Sequence, residues 1–362
     1  MKPSILFVSS FYPEFLRDLY AGDPALAELN YDEQRRRLME SKFSSIDAYC
    51  DCLDSLGCRT DAVILYADRL MERWAAEHGV TLTGNVHEQR RQFVAECVRR
   101  FKPDILYVFE WSPLGDAFLA DVKRHVRLLV GQIASPLRPD RTYAATDLMI
   151  SSWPPIVDYF HREGKASAYL KMAFDQRVLD GLPAAAPRYD VTFVGGFAPS
   201  HPTRIAWLNR LLRDVKIDVF GYGVDTVPQD SPIREHHRGP VWGYRMYETL
   251  QRSRITLNLH AVNDVRGTVM TNVANNLRLY EATGVGTCLL TDAKDNLHEL
   301  LDPAGEVVAY RDDHECVEKI RYFLDHEDER RTIAAAGQRR TLRDHTYTVR
   351  MAELLDVLVR HL

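Results

Sequence analysis

Hydrophobic positions along this chain follow two spacings that alternate. Short apolar, β-branched runs at Ser4–Ser10 (SILFVSS), Asp61–Tyr66 (DAVILY), Asp104–Phe109 (DILYVF), Leu128–Ala134 (LLVGQIA), Leu148–Ser151 and Ala168–Lys171 read as strands. Between them, Ser41–Leu56, Glu88–Phe101, Leu114–Arg124 and Ile156–Glu163 repeat with a helical period, and Pro103 ends the second. Runs that are apolar throughout rather than alternating belong to strands buried on both faces. Alternation with helices therefore predicts a parallel, Rossmann-like sheet covered on both sides. Residues 12–40 break the pattern as a long excursion rich in Tyr, Phe and acidic residues. It reads as a long strand-end loop of the kind that often carries function.

A second series follows a change of composition. Met172–Pro187 is rich in Ala, Pro and Asp and has no strong period, so 173–188 reads as a linker between an N-terminal domain (1–172) and a C-terminal one (189–345). Strands are expected at Tyr189–Val194, Ile217–Phe220, Thr256–His260, Thr287–Thr291 and Val307–Ala309. Helices are expected at Thr203–Arg213, Tyr244–Ser253, Val273–Thr283, Asn296–Leu301 and His314–His326. In a last helix near Val349–His361, Met351, Leu354, Leu355 and Leu358 share one face, so residues 346–362 are placed as a C-terminal helix that packs back on the first domain. Two such domains leave a cleft at the carboxyl ends of their strands, where ligands of open α/β sheets bind.

Length and charge narrow the classes. A chain of 362 residues exceeds one ordinary core. A net charge of −5 gives no basic field for nucleic acid. Arg35-Arg36-Arg37 is the dense basic run near the N-terminus; it reads as a solvated helix face, with contact to an anionic acceptor or lipid headgroup as the alternative. MKPSILFVSSFYPEF reads as a first strand rather than an export leader, and no apolar run approaches the ~18 residues a membrane span needs. Six scattered cysteines in no metal-binding spacing read as free thiols of a reducing compartment, so the expectation is a cytoplasmic protein.

The densest chemistry lies in Asn275–Asp292 (NNLRLYEATGVGTCLLTD). Arg278 and Glu281, three apart, share a helix face, and Gly284 and Gly286 suit the turn into a strand. The loop Val265–Asn272 (VRGTVMTN) precedes the helix, whose N-terminus would favour a diphosphate and leave Glu281, about two turns in, for vicinal sugar hydroxyls. An ordinary surface Arg–Glu pair fits the spacing equally well.

From Val241 to Leu355 the sequence resembles the C-terminal domain of glycosyltransferases group 1, in the branch related to spore-maturation-type enzymes. The resemblance is carried by VWGYRMYETLQRSRITLNLH, by NNLRLYEATGVGTCLLTD, by EVVAYRDDHECVEKIRYFLDHEDERRTIAAAGQRR and by HTYTVRMAELL. It implies a GT-B fold, two facing Rossmann-like domains with an interdomain cleft. It also implies transfer of a sugar from a nucleotide diphosphate sugar to a hydroxyl of a sugar, lipid-linked or small-molecule acceptor, in surface polysaccharide or other glycoconjugate synthesis. The donor is a substrate, so no cofactor and no metal are expected, and peripheral membrane contact stays open.

The family's ribose-binding glutamate falls on Glu281, with Arg278 in support, whereas Ala274 stands where many members carry a second glutamate. Arg266, Thr268 or Asn272 are the candidates to replace that contact. Gly195 and Gly196 match the turn that approaches the diphosphate, and Arg204 and Arg266 are the residues expected to stabilise it as it leaves. Tyr222, Gly223 and Trp242 fall where the base is expected, and both aromatics also suit a core. His260, at a strand end, reads more readily as a structural histidine than as a phosphate contact. In the N-terminal domain, Ser9, Ser10, Glu110, Trp111, Ser135 and Arg138 fall at strand ends, and Glu110 is the candidate general base unless it pairs with Arg138. A nucleotide-sugar epimerase of the same fold and a catalytically silent homologue are the rival readings.

Overall fold

The run SILFVSS forms β1 (Ser4–Ser10), which pairs in parallel with β2 (Arg59–Leu65) on one side and β3 (Ile105–Val108) on the other. With β4 (Leu128–Gln132), β5 (Leu148–Ser151) and β6 (Ala166–Tyr169) they make a six-stranded sheet, ordered β2-β1-β3-β4-β5-β6. Every residue of β3 and β5 is buried, as strands covered by helices on both faces must be. The computed structural model describes residues 2–197, 202–261, 272–274 and 276–362. The chain divides into unit 1, Met1–Lys171 with Arg350–Leu362, and unit 2, Met172–Val349.

Unit 2 holds β7 (Tyr189–Val194), β8 (Asp218–Phe220), β9 (Ser253–Asn258), β10 (Cys288–Asp292) and β11 (Val308–Tyr310), all parallel, in the order β11-β10-β9-β7-β8. Because side chains alternate along a strand, the sheet feeds two apolar layers. Phe193, Val219, Leu257 and Leu290 pack with Trp207 and Leu211 on one face. Val194, Phe220 and Leu289 pack with Phe174, Leu250 and Leu279 on the other. Each such side chain contributes roughly 1.5–3 kcal/mol by leaving water. Phe174 is fully buried, its N–H donates to the His345 carbonyl at 2.8 Å, and the Tyr347 N–H donates to its carbonyl at 3.1 Å. The Ala- and Pro-rich segment thus enters the unit 2 core at its first residues.

Three local readings change. The excursion at 12–40 is helical: Pro13–Gly22, a 3₁₀ turn at Pro24–Glu28, and Tyr31–Glu40. Pro13 sits in a first turn, where its missing N–H costs nothing, and the Asn30 side chain caps the second helix by accepting the Glu33 N–H at 2.9 Å. Arg35 pairs with Asp61, and Arg36 and Arg37 with Glu33, so the basic run is neutralised locally. Helices at Asp68–Glu77 and Glu327–Asp344 were not read from the sequence: the second has few apolar residues to mark a face, whereas the first does carry a buried face in Leu70, Met71, Trp74 and Ala75. The helix expected at Val273–Thr283 begins only at Arg278 and ends at Gly284. Asn296 explains this: its side chain accepts the Ala274 N–H at 2.6 Å and donates to the Ala274 carbonyl at 3.3 Å, taking the groups a helix needs.

Candidate functional site

Open parallel sheets bind ligands beyond the carboxyl ends of their strands, where strand order reverses and the loops diverge. In unit 1 that point lies between β1 and β3, and in unit 2 between β7 and β9. Each point gathers residues named from the sequence.

In unit 1, Ser10 ends β1 and Glu110 follows β3; the Ser10 hydroxyl donates to Glu110 Oε2 at 3.0 Å across the divide. The Ser112 N–H donates to Oε1 at 2.7 Å. Tyr66 comes next after β2, and burial together with the charge of the Glu110 carboxylate pushes its phenol up. Tyr66 has φ 67°, a left-handed conformation rare for an aromatic residue, and the Arg90 guanidinium lies 4.4 Å over its ring. Arg90 is itself forked onto Asp68 at 3.0 and 2.7 Å. Arg138 does not take Glu110 as its ion-pair partner; it forks onto Asp140 at 3.0 and 2.8 Å. Glu110, Ser112, Gln132, Ser135 and Arg138 line a cavity of about 380 Å³.

In unit 2, β7 ends in the turn Val194-Gly195-Gly196. The Gly195 N–H donates to the Phe220 carbonyl at 2.8 Å, and the Gly221 Cα sits so close that a Cβ there would lie 2.1 Å from the Gly195 oxygen. Two arginines converge on this turn. Arg204, on the helix Pro202–Leu211, donates to the Gly196 carbonyl. Arg278 donates to the Val194 carbonyl at 3.2 Å. Burial drives the Arg204 guanidinium down to about 10, and the Arg278 cation pushes the same way. Arg204 Nε is shielded from water without a hydrogen-bond acceptor among the described residues, whereas Arg278 Nη1 has the Glu281 carboxylate 3.0 Å away but out of line for a hydrogen bond. A buried donor left unpaired costs about 1–3 kcal/mol, so such atoms call for an explanation, and a ligand supplies one.

Glu281 lies 3.0 Å from Arg278 Nη1, with the two side chains 12% and 14% exposed. The pair is buried rather than superficial. Because the helix starts at Arg278, Glu281 stands in its first turn rather than two turns in. Tyr222 and Trp242 stack with ring centres 5.4 Å apart and planes 29° apart. Gly196 has no side chain because Tyr222 fills the space: a Cβ there would fall 2.4 Å from its ring. Gly223 follows with φ 78°, which a residue with a Cβ resists.

His260, beyond β9, is 3% exposed. Its N–H donates to Asp292 Oδ1 at 3.0 Å, and its Nδ1 lies 2.6 Å from the same oxygen. Lys294 approaches Asp292 Oδ2 at 2.9 Å and donates to Asn272 Oδ1 at 3.2 Å. Burial alone would raise the Asp292 carboxyl, but the hydrogen bond and charge of His260, with Lys294, outweigh it and hold the group at about 2. His260 Nε2 is buried without a partner among the described residues. The satisfied structural histidine expected from the sequence is therefore only half satisfied. Asn272 is bound to Asp295 and Lys294, so it joins this cluster. Arg266 and Thr268 lie outside the described residues. Sequence reading did not single out Tyr66, Asn276, Asp292 or Lys294; Asp292, a carboxylate closing the strand CLLTD, is the one whose position alone could have flagged it.

Comparison with known proteins places this geometry. Residues 203–356 match the family described as glycosyl transferase-like. No curated protein matches the sequence. The fold resembles Anabaena HepE, solved in complex with UDP-glucose, with TM-score 0.61 and 12% identity over 99% of this chain and 100% of that one. It also resembles a sucrose-phosphate synthase from Thermosynechococcus elongatus, with TM-score 0.57 and 12% identity over 98% and 99% of the two chains. A putative UDP-N-acetylglucosamine 2-epimerase from Listeria monocytogenes follows at TM-score 0.54 and 11% identity over 100% and 97%. The match and the resemblance drawn from Val241–Leu355 fall on the same part of the chain, which carries a glycosyl transferase-like domain within a GT-B fold.

Proposed function

We propose, for a chain with a glycosyl transferase-like domain at residues 203–356, transfer of a sugar from a nucleoside diphosphate sugar to an acceptor hydroxyl. The observation that carries the reading is the pair Arg204–Arg278 at the glycine turn after β7. The Arg204 Nε–H there lacks an acceptor, and Arg278 is held beside it by the carboxylate of Glu281 in the same buried cluster. A diphosphate accepts hydrogen bonds only and carries the negative charge that Arg204 lacks. As the sugar's bond to the diphosphate breaks, negative charge grows on the leaving oxygens, and fixed cations stabilise it most at that moment. Glu281 accepts from the ribose hydroxyls, Tyr222, Gly223 and Trp242 border the base, and Arg266 joins Arg204 on the phosphates. The sugar itself falls to Thr268 or Asn272.

The acceptor belongs to unit 1. Glu110 Oε2 accepts a hydrogen bond from the Ser10 hydroxyl and lines the cavity beside it, so it is placed to take the proton of an acceptor hydroxyl bound there. The acceptor sugar or lipid-linked glycan belongs to glycoconjugate synthesis, and the work is cytoplasmic. HepE, solved with UDP-glucose, supports a uridine donor as the first to try.

Calorimetry and product analysis with UDP-glucose, GDP-mannose, dTDP-glucose and CMP-sialic acid test the reading. Binding of one donor, with slow release of free sugar and nucleoside diphosphate, supports it. Interconversion of sugar epimers would favour the epimerase, and no binding at all would sink the proposal.

A further inference from the structure

Unpaired polar atoms at the carboxyl edge of the unit 2 sheet sort by chemistry. Toward β7 the unpaired atom is a donor, Arg204 Nε, next to the Arg278–Glu281 pair; toward β9 and β10 they are His260 Nε2 and Asn276 Oδ1. Both of the latter belong to one network. Asp292 takes the backbone N–H of His260 at 3.0 Å and faces its Nδ1 at 2.6 Å, which fixes the ring and draws the proton to Nδ1. In the neutral ring Nε2 is then a lone-pair acceptor. Asn258 donates to Thr291 Oγ1 at 2.9 Å and accepts from Asn276 Nδ2 at 2.9 Å, and this fixes the Asn276 amide with its oxygen left over. Each orphan atom is shielded from water among the described residues, so each has given up hydration for nothing in the unliganded chain.

We propose that His260, oriented by Asp292, and Asn276 accept hydrogen bonds from hydroxyls of the sugar being transferred. The inference rests on the nucleotide-sugar reading above and assigns the part of the donor that reading left to Thr268 or Asn272. The chemistry on the two sides of the edge matches the two ends of such a donor. Phosphate oxygens only accept, and they meet arginine N–H groups; sugar hydroxyls donate, and they meet an imidazole nitrogen and an amide oxygen. Asp292 is a positioning residue, acting through the ring.

The test compares each nucleotide sugar with its own free nucleotide on the full chain: UDP-glucose against UDP, GDP-mannose against GDP, dTDP-glucose against dTDP. His260→Ala is expected to weaken the sugar-bearing ligand about tenfold while changing the free nucleotide less than about twofold. Asn276→Ala should move the same way by less. Asp292→Asn, which keeps the ring but loosens it, should lie between wild type and His260→Ala. Equal losses on both ligands would overturn the assignment, because His260 would then serve the nucleotide. A lowered melting temperature with both affinities unchanged would also overturn it and give Nε2 to an internal water. If His260→Ala fails to fold, His260→Gln and Asn276→Ala carry the same comparison. If wild type binds none of the six ligands, the transferase reading itself fails and takes this inference with it.

Discussion

Arg278 Nη1 and Glu281 Oε2 lie 3.0 Å apart with both side chains more than four-fifths buried. Removing one member of a buried pair leaves an uncompensated charge and costs about 3–5 kcal/mol, more than a surface pair would. Glu281→Ala is therefore expected to lower the melting temperature as well as nucleotide affinity. Glu281→Gln, which keeps shape and an acceptor oxygen, should retain most of the stability and still lose about tenfold in UDP affinity. Melts and calorimetry on both variants check this; full UDP affinity in Glu281→Gln would remove the ribose role.

Arg204 offers the opposite balance. Its guanidinium is held down to about 10 by burial, with the neighbouring Arg278 cation adding to the effect, so the charged form is kept at a cost to the unliganded fold. Arg204→Met is expected to leave the melting temperature within about 3 °C of wild type, while weakening UDP about tenfold or more. A large destabilisation with unaltered UDP binding would make Arg204 a structural residue.

Asp292 predicts a pH dependence. Its folded value of about 2 lies below its ordinary 3.8, so the folded state holds the carboxylate more strongly than the unfolded chain does. A depressed acid stabilises at pH above the unfolded value, and that contribution fades as pH falls toward 2. The shift corresponds to about 2 kcal/mol. Denaturant titrations should show Asp292→Asn less stable than wild type by about that amount at pH 6, with the gap closing between pH 4 and pH 2. A gap that does not change with pH would rule out the linkage.

Gly284 tests the packing of unit 2. In a helix, Gly→Ala ordinarily gains up to about 1 kcal/mol. Here an added Cβ would fall 2.5 Å from the ring of Phe174, which is fully buried and cannot swing away. Overpacking of that kind costs about 1–3 kcal/mol, so Gly284→Ala should destabilise despite its helix propensity. The double variant Gly284→Ala with Phe174→Leu should recover part of the loss.

The sheet of each unit was readable from runs such as SILFVSS and CLLTD, because strands buried on both faces leave an uninterrupted apolar signature. The GT-B fold and the glycosyl transferase-like domain followed from the resemblance in the second half. The excursion at 12–40 was unreadable as helix because its two helices are short and their signals, Pro13 and the Asn30 cap, look like turn residues. The start of the helix at Arg278 depends on Asn296, far along the chain, and no local pattern reports such a partner. Arg278 and Glu281 could be paired by spacing, but their burial could not. The strain at Tyr66 and the orphan nitrogen of His260 likewise come from neighbours that only the fold brings together.

Residues Arg350–Leu362 belong to unit 1, where Met351, Leu354 and Leu358 are fully buried. The carbonyl of Leu362 accepts from Arg127 at 3.2 Å in the same unit. During synthesis these residues leave the ribosome only after all of Met172–Val349. Unit 1, although begun first, must therefore hold an unfilled apolar surface until the last helix emerges. The nascent chain is most exposed to aggregation and chaperone capture during that interval.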